Sequence, residues 1–292
     1  MKVLIVRKAT NFELHGAKVE ANVNEGILRK ANLDKLKSAH LQHYRTLDLL
    51  RQNLDKNAVA FAEIGRGSPW PNDDDFDAII SVGGDGTLLS ASHHIKNCGK
   101  IIGIRSSDAS VGYLCAAGSK QIKAVVTKLV KNKVEYLEVA RLQVKIEQVG
   151  SKTPTLSYPI LNDILFTNTN PAATTRYKIF YGVERETHKS SGVWVSTATG
   201  STAGIAAAGG KALKQTDQRF QFMVRELYKA KGEKAILKHK IFDPSKHKLT
   251  IENRNERALV ALDGQHGETL LGFGDRIQIQ RGSNLLLAKP DH

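Results

Sequence analysis

Only two cysteines, Cys98 and Cys115, occur in the 292 residues, and no CxxC spacing joins them. A disulfide framework and a cysteine-based zinc site are thereby excluded, and both residues read as small buried hydrophobes in a reducing compartment. Long apolar runs are missing too. Nowhere do about 18 apolar residues stand together, so no membrane span is expected. The start, Met-Lys-Val-Leu-Ile-Val-Arg-Lys, has four apolar residues between charges, too few for a signal peptide. Internal repeats, low-complexity linkers and heptads are lacking, and the expectation is a cytoplasmic globular protein. Negative charge is in short supply: 29 acidic against 43 basic residues leave a net charge of +14. Such a chain attracts polyanions, whether nucleotides, nucleic acid or acidic membrane. With no RRM, KH, zinc-finger or basic-aromatic pattern, nucleic acid is not the expected partner. The length suits two domains or one large one.

What is present begins with a β-branched run at 3–6, bounded by charged residues, which predicts a buried parallel strand. Leu33, Leu36, His40, His43, Leu47, Leu50 and Leu54 then recur at spacings of three and four, one face of a helix. The two histidines lack a nearby carboxylate or cysteine, so packing or capping is preferred over metal ligation, and no protein-held metal is expected. A Gly, Pro, Asn and Asp-rich break at 65–77 leads into a second strand at 78–82. A Gly-rich turn, a helix over 88 to about 97 and a third strand at 100–104 complete a βαβ unit. Another helix is predicted over about 119–131.

From Val134 the grammar changes. Residues 142–147 and 249–252 alternate apolar and polar, and 276–281 does so in the opposite phase, the pattern of antiparallel sheet. A small-residue stretch at 200–213 reads as more helical. The predicted architecture is an open α/β nucleotide-binding domain over 1–137, a β-rich, sandwich-like domain over 138–275, and a segment, 276–292, returning to the first domain.

Four constellations carry chemistry. Gly83-Gly84-Asp85-Gly86-Thr87 lies at the carboxyl end of a strand and before a helix, where open α/β sheets bind ligands. Residues without side chains let backbone N–H groups approach phosphate oxygens. Asp85 is the unusual member, because a carboxylate among phosphates is repelled unless it acts as a base or meets a bound Mg2+. The bland alternative is a turn in which Asp85 caps the helix. No Gly-Lys-Ser/Thr follows, so this is not a Walker A loop. The second constellation, 190–204, runs from a strand into hydroxyls and glycines suited to ribose or phosphate oxygens, or else is a strand end with helix-capping residues. The third is Asn162-Asp163, interrupting an apolar run, where buried polar groups need a ligand or a loop to bond. The fourth, Leu262-Asp263-Gly264-Gln265-His266, is a turn joining strands and says least.

Taken in order, these segments resemble the NAD kinase family, whose hallmarks are a GGDGT turn, an Asn-acid pair, a Thr-Gly-Ser-Thr-Ala segment and a late Asp-Gly turn. The resemblance runs from residue 3 to about 287. Its details are most similar to the divergent branch that includes plant NADH kinase and mitochondrial-type enzymes: Lys8-Ala9-Thr10-Asn11-Phe12-Glu13, Leu41-Gln42-His43, the long 103–114 loop ending at Cys115, Asn170-Pro171-Ala172-Ala173, and Phe222-Met223-Val224-Arg225-Glu226. It implies a kinase that moves the γ-phosphate of ATP to the 2′-hydroxyl of the adenosine ribose of NAD+ or NADH, with Mg2+ or another divalent cation accompanying ATP. Asp85 would be the general base, and Gly84, Gly86 and Thr87 would shape the phosphate site. Asn162 and Asp163 would hold ribose or adenine groups, Thr199, Gly200, Ser201, Thr202 and Ala203 would line the nucleotide pocket, and Gln265 is a weaker carry-over. A dimer or tetramer is implied as well.

Three departures from the commoner bacterial pattern stand out. Asp163 replaces Glu, Gly204 stands where a Tyr follows Gly-Ser-Thr-Ala, and Ser191 replaces an Asp before Gly192. The missing ring removes a stacking surface worth up to about 1.5 kcal/mol. Lys189, Arg176 and Arg225 are candidate cations for screening the substrates. Two rivals remain open: a lipid kinase of the diacylglycerol type, which shares the turn, and a non-catalytic nucleotide-binding protein on the same fold.

Overall fold

The computed structural model describes residues 1–96, 99–228 and 235–290. Two compact units emerge, Met1–Leu137 with Leu286–His292, and Glu138–Leu285. Cys98 and Asn97 fall outside the described residues.

In the first unit the chain forms β1 (Lys2–Arg7), α1 (Asn11–Asn24), α2 (Lys30–Lys56), β2 (Ala60–Gly65), β3 (Ala78–Gly83), α3 (Asp85–Ser92), β4 (Lys100–Arg105), β5 (Ala117–Gly118), α4 (Ile122–Val130) and β6 (Tyr136–Val139). The sheet order is β2-β1-β3-β4, then the final strand Leu285–Ala288, then β6, with β5 also paired to β4. Strands β1 to β4 run parallel, and β1, β3 and β4 carry buried Val, Ile and Leu on both faces, the pattern of covered parallel strands. Helix α1 starts at a reciprocal cap: the Glu13 amide donates to Thr10 Oγ1 at 3.2 Å and the Thr10 amide to the Glu13 carboxylate at 2.6 Å. On α2, Leu33, His43, Thr46, Leu47, Leu50 and Leu54 are buried, whereas Leu36 and His40 are only partly covered. Helix α3 stops at Ser92, short of the predicted 97, where Ser92 Oγ turns back to the Leu89 carbonyl. The predicted 119–131 helix opens as a 3-10 turn at Ser119–Gln121, with the Gln121 side chain accepting from the Gly118 amide. Among the described residues, no helix is long and apolar enough to cross a membrane.

The second unit contains β7 (Leu142–Glu147), β8 (Thr155–Leu156), β9 (Asp163–Asn168), β10 (Thr175–Tyr181), β11 (Glu184–Ser190), β12 (Gly192–Ser196), α5 (Gly204–Ala207), β13 (Phe220–Arg225), β14 (His239–Phe242), β15 (Leu249–Asn253), β16 (Arg257–Leu262), β17 (Gly267–Gly272) and β18 (Arg276–Arg281). They form two six-stranded sheets, β11-β10-β15-β18-β7-β8 and β14-β13-β12-β9-β16-β17, antiparallel throughout. One core joins their inner faces, with Val144, Ile179, Ile251 and Ile277 from the first sheet against Ile164, Phe166, Val195 and Phe222 from the second. The opposite phase of 276–281 has a simple origin: β18 pairs β7 with Ile277 opposite Ile146 and Ile279 opposite Val144, so its apolar residues face the same core. This corrects the expected returning segment. Residues 276–285 belong to the second unit, and the return begins at Leu286. The 200–213 stretch is helical only at Gly204–Ala207, behind a 3-10 turn at Thr199–Thr202.

Candidate active site

Strand β3 delivers the Gly-rich turn to the carboxyl edge of the parallel sheet. A Cβ on Gly83 would lie 2.2 Å from Thr87 Oγ1, and one on Gly84 would lie 2.5 Å from the Val111 carbonyl oxygen. Both positions therefore exclude a side chain for reasons of contact. The 106–114 loop folds over the turn. The Ser106 amide donates to the Gly83 carbonyl at 2.9 Å, and the Asp85 amide to the Val111 carbonyl at 2.9 Å.

Asp85 is the first residue of α3, and Gly84 is its cap, without a side-chain capping bond. The carboxylate accepts instead from two loop amides, Leu114 to Oδ1 at 2.8 Å and Tyr113 to Oδ2 at 3.0 Å. This geometry removes the capping alternative. Each oxygen keeps a lone pair, the residue is half-buried, and the first turn of the helix favours its negative charge. Gly84 and Gly86 are half-buried beside it, and Thr87 is buried.

Sequence reasoning did not give Lys8 a role at the site. Its Nζ donates to Ser110 Oγ at 2.9 Å, and that hydroxyl lies 3.1 Å from Ser107 Oγ. Burial, then the nearby Arg66 charge, lowers the Lys8 ammonium below its usual range. Its position at the end of β1, on the ligand-binding edge of an open sheet, is the signal that points to it. Cys115 is buried, and burial followed by the Asp85 charge pushes its thiol up to about 12, which suits a packing residue rather than a nucleophile.

In the second unit, Asn162 and Asp163 open β9 and are held by the turn that sequence reasoning ranked last. Asp263, left-handed at φ 47°, accepts from the amides of Leu161 at 3.0 Å, Asn162 at 2.7 Å and Asp163 at 3.1 Å. Its own amide donates to the Asp163 carbonyl at 2.8 Å. Gln265, the residue singled out in that turn, is exposed. From the other side, the Thr197 amide donates to the Asn162 carbonyl at 2.9 Å, and Thr197 Oγ1 donates to the Leu161 carbonyl. A Cβ on Gly200 would sit 2.2 Å from the Asn162 carbonyl oxygen, so the hydroxyl-rich segment and the Asn-Asp turn are in direct contact.

Three buried oxygens at this junction, Asn162 Oδ1, Ser196 Oγ and Thr199 Oγ1, have no hydrogen-bond partner among the described residues. Unpaired buried polar atoms cost about 1–3 kcal/mol each, so three at one junction make it a candidate binding site. Ser196 falls within the 190–204 constellation but is not singled out there, because on β12 it reads as an ordinary strand residue. Ser201 differs from its neighbours: its hydroxyl donates to the Ala198 carbonyl at 2.7 Å and accepts from the Leu213 amide at 2.9 Å, bracing the segment. Thr202 is exposed and Ala203 half-buried. Asp163 is 5% exposed, and burial followed by the Asp263 charge pushes its carboxyl up to about 7. Gly204 has a local reason, since a Cβ there would meet the Trp194 ring at 2.9 Å.

No group of three or more His, Cys, Asp or Glu poised to hold a metal occurs among the described residues. On α2, His40 Nδ1 bonds Thr10 Oγ1 at 2.8 Å, while His43 is fully buried and burial, foremost, lowers its imidazole to about 4.

The chain thus combines a parallel α/β unit carrying a carboxylate-bearing Gly turn with an antiparallel two-sheet unit carrying buried unpaired hydroxyls. Residues 41–134 match the family model described as the ATP-NAD kinase N-terminal domain. The chain is 29% identical over 266 residues to a probable NADH kinase of Oryza sativa subsp. japonica, covering 84% of this chain and 80% of that protein. It is 28% identical over 272 residues to an NADH kinase of Arabidopsis thaliana, covering 87% and 85%. The fold is shared with an NAD kinase from Archaeoglobus fulgidus solved in complex with ATP, at a TM-score of 0.68, 19% identity, and coverage of 100% of this chain and 94% of that one. Over most of its length the chain is similar to these NADH kinases, and its residues 41–134 match the N-terminal domain of the NAD kinase family.

Proposed function

We propose that the protein transfers the γ-phosphoryl group of ATP to the 2′-hydroxyl of the adenosine ribose of NAD+ or NADH, with Asp85 as general base. The observation that carries this reading is the Asp85 carboxylate, fixed by the Tyr113 and Leu114 amides at the start of α3. Two amide bonds keep it oriented. It takes the 2′-hydroxyl proton as that oxygen bonds to the γ-phosphorus and the bond from phosphorus to the β–γ bridging oxygen breaks, releasing ADP. Positioning and charge neutralisation supply most of the rest.

Gly84, Gly86 and Thr87 shape the phosphate end, and Lys8 brings a cation to the loop that holds Asp85. Asn162, Ser196 and Thr199 supply the polar atoms that ribose and adenine groups satisfy. Asp163, its carboxyl raised to about 7, is mostly protonated below that pH and then presents a hydroxyl that donates as well as accepts. Mg2+ keeps most of its ligands as water and phosphate oxygens and needs one or two carboxylates. With Asp85 assigned as the base, the cation would be held mainly by water and the ATP phosphate oxygens, and it fits as part of the ATP complex. When bound, it neutralises charge on the transferring phosphate. The same resemblance implies a dimer or tetramer.

A lipid kinase and a non-catalytic nucleotide binder are not favoured, since the relatives matched over most of the chain carry the names of NADH kinases. The test is purified protein with ATP, Mg2+ and either NAD+ or NADH, with NADP(H) read by a coupled dehydrogenase. Turnover of at least one dinucleotide is expected, and no product from either overturns the reading.

A further inference from the structure

We propose that the outward face of β10 and β11, in the second unit, binds single-stranded nucleic acid. Tyr177 and Ile179 of β10 and His188 and Ser190 of β11 are buried. Alternation therefore puts Arg176, Lys178 and Phe180, with Arg185, Thr187 and Lys189, on the opposite face. The strands pair antiparallel, with Arg176 opposite Lys189, Lys178 opposite Thr187 and Phe180 opposite Arg185. Two short rows of cations thus lie side by side, about 4.8 Å apart. Arg176, Lys178, Arg185 and Lys189 form no ion pair among the described residues. Two neighbouring acids are already engaged. Glu252, opposite Lys178 on β15, is buried and meets Arg254 at 2.5 Å and Arg276 at 2.6 Å. Glu186 lies 2.8 Å from His188 Nε2 and accepts from the Ile236 and Leu237 amides at 2.7 and 3.1 Å. The positive field of this face is left to an outside polyanion.

A second observation gives the face a floor for a base. A depression of about 470 Å3 is lined by Lys178, Phe180, Arg185, Glu186 and Thr187. Phe180 is half-buried, with the Arg276 guanidinium 5.9 Å from its ring centroid. A ring so placed offers a base a stacking surface while the flanking cations reach the phosphates, the combination used by proteins that hold single strands without sequence preference. Alternate residues of one strand stand about 6.8 Å apart, close to the phosphate repeat of an extended single strand. Other occupants fit less well. A second copy would set like charges against like, a bilayer would meet Phe180 as the one apolar side chain of the six, and a duplex has no free base to stack. Neither strand shows a basic-aromatic pattern by itself, because alternation interleaves these residues with core positions, and pairing is what brings them together.

The test is fluorescence anisotropy of short labelled oligouridylate and oligothymidylate titrated with the full-length protein, with and without saturating ATP. Wild type should bind both, with Kd rising about 50-fold between about 50 and 200 mM salt if the four cations each neutralise one phosphate. The variant Lys178→Glu/Arg185→Glu should bind at least about tenfold more weakly, with about half the salt slope. Phe180→Ala should lose about 5- to 150-fold at an unchanged slope, the mark of stacking rather than charge. Lys178 and Arg185 head away from the core, so the double variant should keep the thermal midpoint and the dinucleotide phosphorylation of wild type. No binding at low salt, equal binding by the double variant or by Phe180→Ala, or binding abolished by ATP overturns the proposal. So does an equally tight duplex of the same length, or binding only to mixed phosphatidylcholine and phosphatidylserine vesicles. Dinucleotide phosphorylation by wild type is measured separately, so this failure and a failure of the kinase reading are distinguishable.

Discussion

The Gly-rich turn of the first unit and the Asn162 turn of the second use the same device to opposite ends. Each sets an aspartate against backbone amides. Asp85 receives one amide on each oxygen, is half-buried, and keeps a further lone pair on each oxygen. Asp263 receives three amides, is 3% exposed, and is used up in holding Leu161, Asn162 and Asp163 in place. Its charge then acts on the neighbour, since Asp163 loses access to water and faces a carboxylate. Chemical identity is the same at both places. Access and the number of amides decide which carboxylate can act and which one braces.

The sharpest way to break this comparison is to remove the charge at Asp85, the carboxylate proposed to act. Asp85→Asn should lower kcat by about 10²- to 10⁴-fold, the scale of general-base loss. Asn keeps one acceptor oxygen, so one loop amide retains its partner and the thermal midpoint should change little. Near-normal turnover, measured with both dinucleotides, would show that Asp85 braces as Asp263 does.

The first turn was legible in the sequence because its meaning is local: a β-branched run, glycines, then a helix. The sandwich was legible as alternation at 142–147, 249–252 and 276–281. What the alternation could not show was partnership. Strand β18 pairs with β7, more than a hundred residues earlier in the chain, and that pairing moved 276–281 out of the returning segment. Asp263 was unreadable for the same reason. Its role rests on a left-handed backbone and on amides about a hundred residues away, and neither leaves a periodic trace. Ser196 hides inside strand grammar, and the cations of β10 and β11 fall into adjacent rows only when the two strands pair. Gly204 read as a lost aromatic ring, although the Trp194 ring is what excludes a side chain there.

The bracing side of the comparison has a pH signature. Asp163 rises from an ordinary value of 3.8 to about 7 in the folded protein, by burial first and then by the Asp263 charge. Below about pH 4 it is protonated in both folded and unfolded chains, and it contributes no penalty. As pH rises from about 4 to 7, the unfolded chain releases the proton while the folded one retains it, so stability falls; above 7 the full penalty remains, on the order of a few kcal/mol. Asp163→Asn removes the titration. In urea unfolding, its stability relative to wild type should grow by that amount between pH 4.5 and 8. A flat difference would mean that burial and the Asp263 charge do not raise the Asp163 carboxyl.

The smallest effect expected separates a ligand-facing group from a bracing one within a single segment. Thr199 Oγ1 is buried without a partner, whereas Ser201 Oγ is committed to Ala198 and Leu213. Thr199→Ala removes an unpaired hydroxyl, so the free protein should be as stable as wild type or slightly more so. If that hydroxyl bonds the dinucleotide, KM for NAD+ or NADH should rise about two- to tenfold, the worth of one neutral hydrogen bond, with kcat unchanged. Ser201→Ala should do the reverse, costing about 1–3 kcal/mol of stability by leaving the Leu213 amide unpaired. Loss of stability in Thr199→Ala with an unaltered KM would place Thr199 with the braces.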